Sequence, residues 1–317
     1  MACRQIRPID SREPSPVTVR QALRAGAEFL AQMGIDTSRL DAELLLGKVL
    51  GCGREQLYLD YEVKLGVPAS NLYDSLLERR ARREPAAYIT GQREFWSLAF
   101  YVTPDVLVPR PETERAVEVA LRLVKMLDKK RSLKILDLGT GSGAIAVSLA
   151  TELDNVQIWA TDLSARALRV ARTNAVRHGV KEKIHFLKGD VFGPVKGQKE
   201  LFDLIVSNPS YVRHKEMQEL PPEVRDWEPR LALDGGADGL DFYRRIAEKA
   251  SLYLADGGCV VLEIGADMRE EICRLIASVG CYSTTTVYQD YAGKDRVVVT
   301  RKLLEADRTN CEVVQGG

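Results

Sequence analysis

The chain is short of histidine and its cysteines are scattered. Three histidines and six cysteines occur in 317 residues, with no CxxC pair and no His cluster beside one, so the ligand spacing of a metal site is missing. Unpaired thiols in a chain of this size suit a reducing compartment. Long apolar runs are missing too: none approaches the roughly 18 residues of a membrane span, and the opening MACRQIRPIDSREPSP has no apolar signal core. A cytoplasmic protein that contacts no membrane is therefore expected. Net charge is absent as well, since 45 Lys and Arg balance 45 Asp and Glu. The molecule as a whole offers no long-range attraction for nucleic acid. No direct nucleic-acid binding is expected, and the chain is expected to act as a monomer.

Two patterned regions lie between two tails, residues 1–16 and 303–317, which carry no sustained period and are expected to be flexible. From 17 to 83 the apolar residues recur three and four apart in VRQALRAGAEFLAQMG, SRLDAELLLGKVLG and SNLYDSLLERRARR, the pattern of a small helical domain. Ser38 and Ser70 read as helix caps. The arginines of ERRARRE read as a solvated last turn suited to the helix C-terminal dipole. Between 84 and 111, EFWSLAFYVTPDVLVP alternates and is broken by Thr103-Pro104-Asp105, which reads as a β-hairpin linking two domains. From 112 to 302 strands and helices take turns: KILDLG, AIAVSLATEL, VQIWATD, ARALRVARTNAVRHG, KIHFLKGD, FDLIVSN, then GGCVVLEIG and a closing pair joined by YAGKD. Such an order implies an α/β fold with a seven-stranded, mostly parallel Rossmann-like sheet. The last connection is too short for a parallel crossover, so one strand near the edge runs antiparallel.

Chemistry gathers at three strand ends. The first strand runs into Asp137-Leu138-Gly139-Thr140-Gly141-Ser142-Gly143, where alternate glycines remove Cβ atoms from the turn and let a ligand lie on the main chain. Gly139, Gly141 and Ala144 also satisfy the loose dinucleotide pattern, which by itself does not choose between cofactors. Asp162 closes VQIWATD, where a carboxylate can accept both ribose hydroxyls of an adenosine; an N-cap role for the next helix is its plain alternative. At the third strand end Asp190 is placed to meet an adenine edge and Val191 to cover the ring. Nicotinamide dinucleotides and S-adenosylmethionine share the adenosine, so these positions do not separate a dehydrogenase from a methyltransferase.

Ser207-Asn208-Pro209-Ser210-Tyr211 separates them. An amide or arylamine nitrogen is a poor nucleophile while its lone pair is delocalised. Acceptors that hold both of its N–H protons favour an arrangement with the lone pair aimed at an electrophile. The Asn208 side-chain oxygen and the Pro209 carbonyl can be those acceptors, proline bringing no N–H and a fixed φ. Tyr211 can pack on the planar face, so that in-line geometry comes from positioning.

DLGTGSGAIAVSLA, ATDLSARALRVARTNA and SNPSY together resemble the class I amino-methyltransferases, which carry an [N/D]PP[Y/F] motif. YITGQREFWSLAFYVTPDVLVPRPETERAVEVAL with its PRPETE core at 109–114, WEPRLALDGGADGLDFYRRI and DYAGKDRVVV resemble one branch, the HemK/PrmC family of glutamine N5-methyltransferases acting on peptide chain release factors. The resemblance runs over residues 17 to 302. It implies S-adenosyl-L-methionine as cofactor, bound by Gly139, Thr140, Gly141, Ser142, Gly143, Asp162, Asp190, Val191 and Asn208. It implies the glutamine of a release factor's GGQ loop as nucleophile, held by Asn208, Pro209, Ser210 and Tyr211, with the helical domain as docking surface. It also sets Arg110, Glu112 and Glu114 beside the donor pocket in a supporting role. Ser210 stands where the family usually has a second proline. A DNA or RNA amino-methyltransferase would use the same motif, but would need a basic stripe that this chain lacks.

Overall fold

The computed structural model describes residues 17–127, 131–197 and 201–304. The N-terminal tail and residues 305–317 of the C-terminal one lie outside the described residues. The chain divides into two compact units, residues 1–90 and 91–317.

The first unit is helical: α1 (Val19–Gln32), α2 (Ser38–Leu50), α3 (Arg54–Leu59), α4 (Val67–Ala81) and α5 (Ala86–Thr90). A capping box starts α1, with the Thr18 hydroxyl accepting from the Gln21 N–H and the Gln21 side chain accepting from the Thr18 N–H, which satisfies two donors a helix start would otherwise strand. The stripes face inward on Leu30, Leu45, Leu46, Leu57 and Tyr73. Neither serine caps. Ser38 is already inside α2, behind Thr37, and Ser70 lies a turn into α4, because Gly66 and Pro68 start that helix early, proline being favoured in a first turn whose N–H groups have no intrahelical partner. Arg80 also departs from the solvated reading of ERRARRE. It is buried, and its Nε lies 2.7 Å from Asp41 Oδ2, with side-chain exposures of 6% and 7%. Burial is tolerable for such a guanidinium only because the carboxylate is held against it.

The second unit opens with a hairpin, β1 (Gln92–Phe95) and β2 (Leu98–Tyr101). It turns at Trp96-Ser97, not at Thr103-Pro104-Asp105. Both turn residues have positive φ, 55° and 56°, which ordinarily calls for Asn-Gly. Tertiary contacts hold them there: the Trp96 N–H donates to Glu114 Oε1 at 2.8 Å and its indole N–H to Glu152 Oε1 at 2.9 Å.

After α6 (Glu114–Lys125) come β3 (Leu133–Leu138), α7 (Ala144–Glu152), β4 (Val156–Asp162), α8 (Ala165–Arg177), β5 (Ile184–Lys188), β6 (Phe202–Ser207), α9 (Pro222–Arg225), α10 (Asp241–Tyr253), β7 (Leu254–Glu263), α11 (Arg269–Val279), β8 (Thr286–Gln289) and β9 (Asp295–Arg301). The seven-stranded sheet has the order β5-β4-β3-β6-β7-β9-β8. Only β9 runs against the rest, pairing antiparallel with β7 and β8, as the short YAGKD link requires. β3, β4 and β6 are apolar runs buried on both faces, as parallel strands under helices must be. The order reverses between β3 and β6, where Leu138 faces Ser207. At such a switch point the flanking loops part and leave a cleft.

Asn174, fully buried on α8, ties the hairpin to this frame. Its Oδ1 accepts from the Tyr101 N–H at 2.7 Å, and its Nδ2 donates to Tyr101 O and Ser142 O, both at 2.9 Å. Asn174→Ala strands the buried Ser142 carbonyl and the part-buried Tyr101 N–H and carbonyl at once. A loss of about 2–4 kcal/mol in the larger unit's urea transition is expected, and a change under about 0.5 kcal/mol, the size of an ordinary surface effect, would show that the hairpin is held by other means.

Candidate active site

A cavity of about 460 Å³ opens at the switch point, within the roughly 300–1,000 Å³ usual for small-molecule sites. Its wall carries every glycine-loop position from Gly139 to Ser142, Asp162, Asp190, Val191, and the stretch Asn208-Pro209-Ser210. It also carries Arg110 and Thr113 from PRPETE and Pro229 to Ala232 from WEPRLAL. Gly143 and Tyr211 are not among the lining residues.

The loop after β3 is built to expose main chain. Gly139 and Gly141 have φ of +72° and +55°; a Cβ at Gly139 would meet nothing within 4 Å, and one at Gly141 only the Gly139 carbonyl at 3.9 Å. Glycine there keeps backbone bare toward the cavity and supplies a left-handed conformation other residues rarely adopt. Gly143 serves packing: its Cβ would sit 3.1 Å from Ala171. Beneath the loop, buried Asp137 accepts from the Thr140 hydroxyl at 2.7 Å. Desolvation pushes its carboxyl up to about 7.

Asp162 holds the loop's far side. Its Oδ2 accepts from the Gly141 N–H at 2.9 Å and its Oδ1 from the Ser164 N–H at 2.8 Å. Burial raises its pKa, and those two N–H groups work against the rise. The cap of α8 is Ser164, whose hydroxyl accepts from the Ala167 N–H, so capping is not the work of Asp162. Asp190 is half exposed and ion-paired to Arg245. Val191 sits at φ +44°, a strained conformation for a β-branched side chain, at the cavity edge.

Asn208 emerges from β6 with its amide oriented. Nδ2 donates to Thr113 Oγ1 at 3.1 Å, and among the described residues Oδ1 accepts nothing. The Pro209 carbonyl likewise accepts no backbone hydrogen bond among them. Two acceptors therefore remain side by side at the wall. Ser210 turns its hydroxyl to the Leu231 carbonyl at 2.8 Å. Tyr211 packs against the main core, and burial, with the Glu263 charge nearby, pushes its hydroxyl up to about 12. The structure thus brings Asn208, Pro209 and Ser210 to the cavity and places Tyr211 behind it.

Several residues at the site carry no local sequence signal. Thr113, 4% exposed, comes from the PRPETE segment and orients Asn208. Glu263, at the end of β7, is a carboxyl 2% exposed that desolvation pushes up to about 7. Arg110 Nη2 meets Glu228 Oε1 at 2.6 Å, the glutamate being almost wholly buried. That pair clamps PRPETE to WEPRLAL, two segments that both line the cavity. Burial raises the Glu228 pKa against the pull of Arg110. Gly235 lets the same segment press on the motif, since a Cβ there would lie 2.6 Å from Tyr211 Cα. Only long-range pairing could have revealed these partners, 95 and 118 residues apart.

Residues 21–91 match the PrmC N-terminal domain family and residues 117–221 the methyltransferase small domain family. A release factor glutamine methyltransferase of Moorella thermoacetica is 44% identical over 280 residues, 88% of this chain and 97% of its own. Another, of Geobacter sulfurreducens, is 41% identical over 91% of this chain and 98% of its own. Among solved structures, the hMettl16 catalytic domain bound to an RNA hairpin has a TM-score of 0.52 at 17% identity, over 71% of this chain and 82% of that one, a likeness of fold alone. The sheet and its cleft are those of a class I S-adenosylmethionine-dependent methyltransferase. Within that class, the chain belongs to the release factor glutamine methyltransferase family.

Replacing Arg110 by Met leaves Glu228 buried without its cation. A loss of about 2 kcal/mol or more is expected, discounted from the ~3–5 of a fully buried pair because Arg110 is one-third exposed. Arg110→Met with Glu228→Leu should recover most of it in calorimetric melts. A double variant no more stable than the single one would show that the clamp is not an isolated pair.

Proposed function

We propose that this enzyme transfers a methyl group from S-adenosyl-L-methionine to the side-chain amide nitrogen, N5, of the glutamine in the GGQ motif of peptide chain release factors. The observation that carries the assignment is the orientation of Asn208. With Nδ2 spent on Thr113, the group it offers at the wall is an acceptor, next to a second acceptor on Pro209. Two adjacent acceptors suit a primary amide, which has two N–H donors to place.

The cavity fits the methyl donor. Bare main chain at Gly139 and Gly141 lets an adenosyl group lie against Gly139 to Gly143, with Asp162 for the ribose and Asp190 and Val191 for the adenine. The donor supplies an electrophilic sulfonium methyl whose loss leaves a neutral thioether, so no proton has to be delivered to the leaving group. The protein's work is positioning. Asn208 and the Pro209 carbonyl hold the glutamine N–H groups, which turns the nitrogen lone pair toward the donor. Ser210 stiffens the turn through Leu231, and Tyr211 backs it from the core side. The helical unit is the docking surface for the release factor, a protein far larger than the glutamine it presents. A release factor substrate fits an enzyme of the cytoplasm.

Incubation with labelled donor should mark an intact release factor, and neither a version with the GGQ glutamine changed to alanine nor nucleic acid. Label on the alanine version or on nucleic acid would overturn the assignment. Asn208→Ala should lower turnover by roughly a hundredfold or more, as when a positioning contact at the reacting centre is lost, with a smaller change in donor affinity.

Asp162→Ala should weaken donor binding by about tenfold or more, since a charged acceptor is lost and the Gly141 N–H is released. Turnover at saturating donor should largely recover. Unchanged affinity by calorimetry would take Asp162 out of the donor site and leave it a loop brace.

A further inference from the structure

GLDFYRRI opens α10, and its two neighbouring arginines go separate ways. Arg244 turns to Asp238 and Asp241, at the start of its own helix and in the loop before it. Arg245 reaches out to Asp190, in the turn after β5. Resting on the donor site proposed above, we propose that Arg245, seated on the Phe242 ring, fixes the Asp190 carboxylate for the amino group of adenine and is a positioning residue for donor recognition.

Phe242, Arg245 and Ile246 are spaced i, i+3 and i+4, so they share one face of α10. Phe242 and Ile246 line the cavity together with Asp190 and Val191. The Arg245 guanidinium carbon lies 5.5 Å from the centre of the Phe242 ring, within cation–π reach, which restrains an otherwise long and mobile side chain. Its Nη2 donates to Asp190 Oδ2. Among the described residues Asp190 Oδ1 accepts no hydrogen bond. A carboxylate only accepts, and the 6-amino group of adenine brings N–H donors, so the free oxygen has the polarity that the base requires.

The main chain at Asp190 is already held. Its carbonyl accepts from the Gly193 N–H at 2.8 Å, and the Gly189 N–H beside it donates to the Asp162 carbonyl at 3.0 Å. What the backbone leaves unfixed is the side chain, which is half exposed. A carboxylate free to turn in water must be immobilised when the base arrives, and a partner that holds it beforehand removes part of that entropic loss. Stability is a poor explanation of the pair. Half-exposed ion pairs contribute little to it, and α10 is seated by the buried Tyr243, Ile246, Ala247 and Ala250. The GLDFYRRI stretch thus gains a task at the adenine end of the cavity.

The test is calorimetric binding of the demethylated donor, S-adenosyl-L-homocysteine, and of its purine analogue with hydrogen in place of the 6-amino group. Wild type should favour the adenosyl form by about tenfold or more, the size of one charge-assisted hydrogen bond. Arg245→Met should cut that preference about three- to fivefold, the scale of a half-exposed ion pair, by weakening the adenosyl form alone. Phe242→Leu, which keeps an apolar wall but removes the ring under the guanidinium, should shift the preference the same way. Asp190→Ala should abolish it, and adding Arg245→Met should then change nothing more, as for two residues acting through one contact. Arg244→Met, with an equally exposed arginine removed from the same helix, should match wild type for both ligands, and melting temperatures should stay close to wild type throughout. An unchanged preference in Arg245→Met or Phe242→Leu, or an equal loss for both ligands in Arg245→Met, would overturn the positioning role. Asp190→Ala keeps the two ideas apart: if it abolishes the preference while Arg245→Met does not, only the role of Arg245 fails, whereas a full preference in Asp190→Ala sinks the adenine placement of the proposed donor site itself.

Discussion

Two neighbouring parallel strands whose connections leave in opposite directions cannot keep their loops together, and the rest of the site depends on that separation. β3 feeds α7 and the β4 side of the sheet; β6 feeds α10 and the β7 side. Right-handed crossovers put the two sets of helices on opposite faces, so the chain parts just past Leu138 and Ser207. Those residues are still in register, and the Ser207 hydroxyl donates to the Leu138 carbonyl at 2.7 Å. One step further, Gly139 turns one way and Asn208 the other. The cavity lies in that parting, and each wall receives one of the two binding tasks.

A cleft made by divergence is open at its rim, and loops at a rim are mobile unless tied. Here the ties are buried or half-buried charges, each with assigned donors. Asp162 holds the glycine loop by the Gly141 N–H and its own turn by the Ser164 N–H, and Arg110 with Glu228 holds PRPETE to WEPRLAL. Such groups are a poor way to gain stability, because desolvation offsets most of the attraction. They are a good way to forbid alternative arrangements, since each wrong loop position strands a charge. The upward pKa shifts at Asp137, Asp162, Glu228 and Glu263 all have burial as their first cause, which fits carboxyls kept for geometry at a cost in solvation.

The elements that could be read from the sequence are those whose signal is local. Alternate glycines, an acid at a strand end, and Asn-Pro after a buried strand announce themselves within a few residues, and the strand-helix alternation orders the sheet. What escaped is the second member of each contact. Nothing near Thr113 shows that it will meet Asn208, and nothing near Glu228 shows that it will meet Arg110. Trp96-Ser97 carries no turn signal, because its own chemistry argues against positive φ, and Glu114 and Glu152 override that preference from 18 and 56 residues away. Arg80 looked solvated for the same reason: Asp41 is 39 residues distant. Tyr211, read from its motif as packing on the ligand, lies partly buried against the main core and outside the cavity lining.

Ser210 shows how a departure from a motif can be absorbed by these long-range ties. A second proline would hold the turn by its ring, acting on the chain's own freedom. Serine instead adds a hydroxyl, which donates to the Leu231 carbonyl 21 residues away, and Leu231 belongs to the segment clamped by Glu228 to Arg110. Among the described residues the Ser210 N–H makes no backbone hydrogen bond, so the donor that proline lacks is not in use here. The turn is therefore restrained by a cross-link to the WEPRLAL segment rather than by its own stiffness. A restraint of that kind couples the turn to the clamp: whatever loosens the Arg110–Glu228 pair also loosens the turn that aims Asn208, which a ring at position 210 would have kept independent.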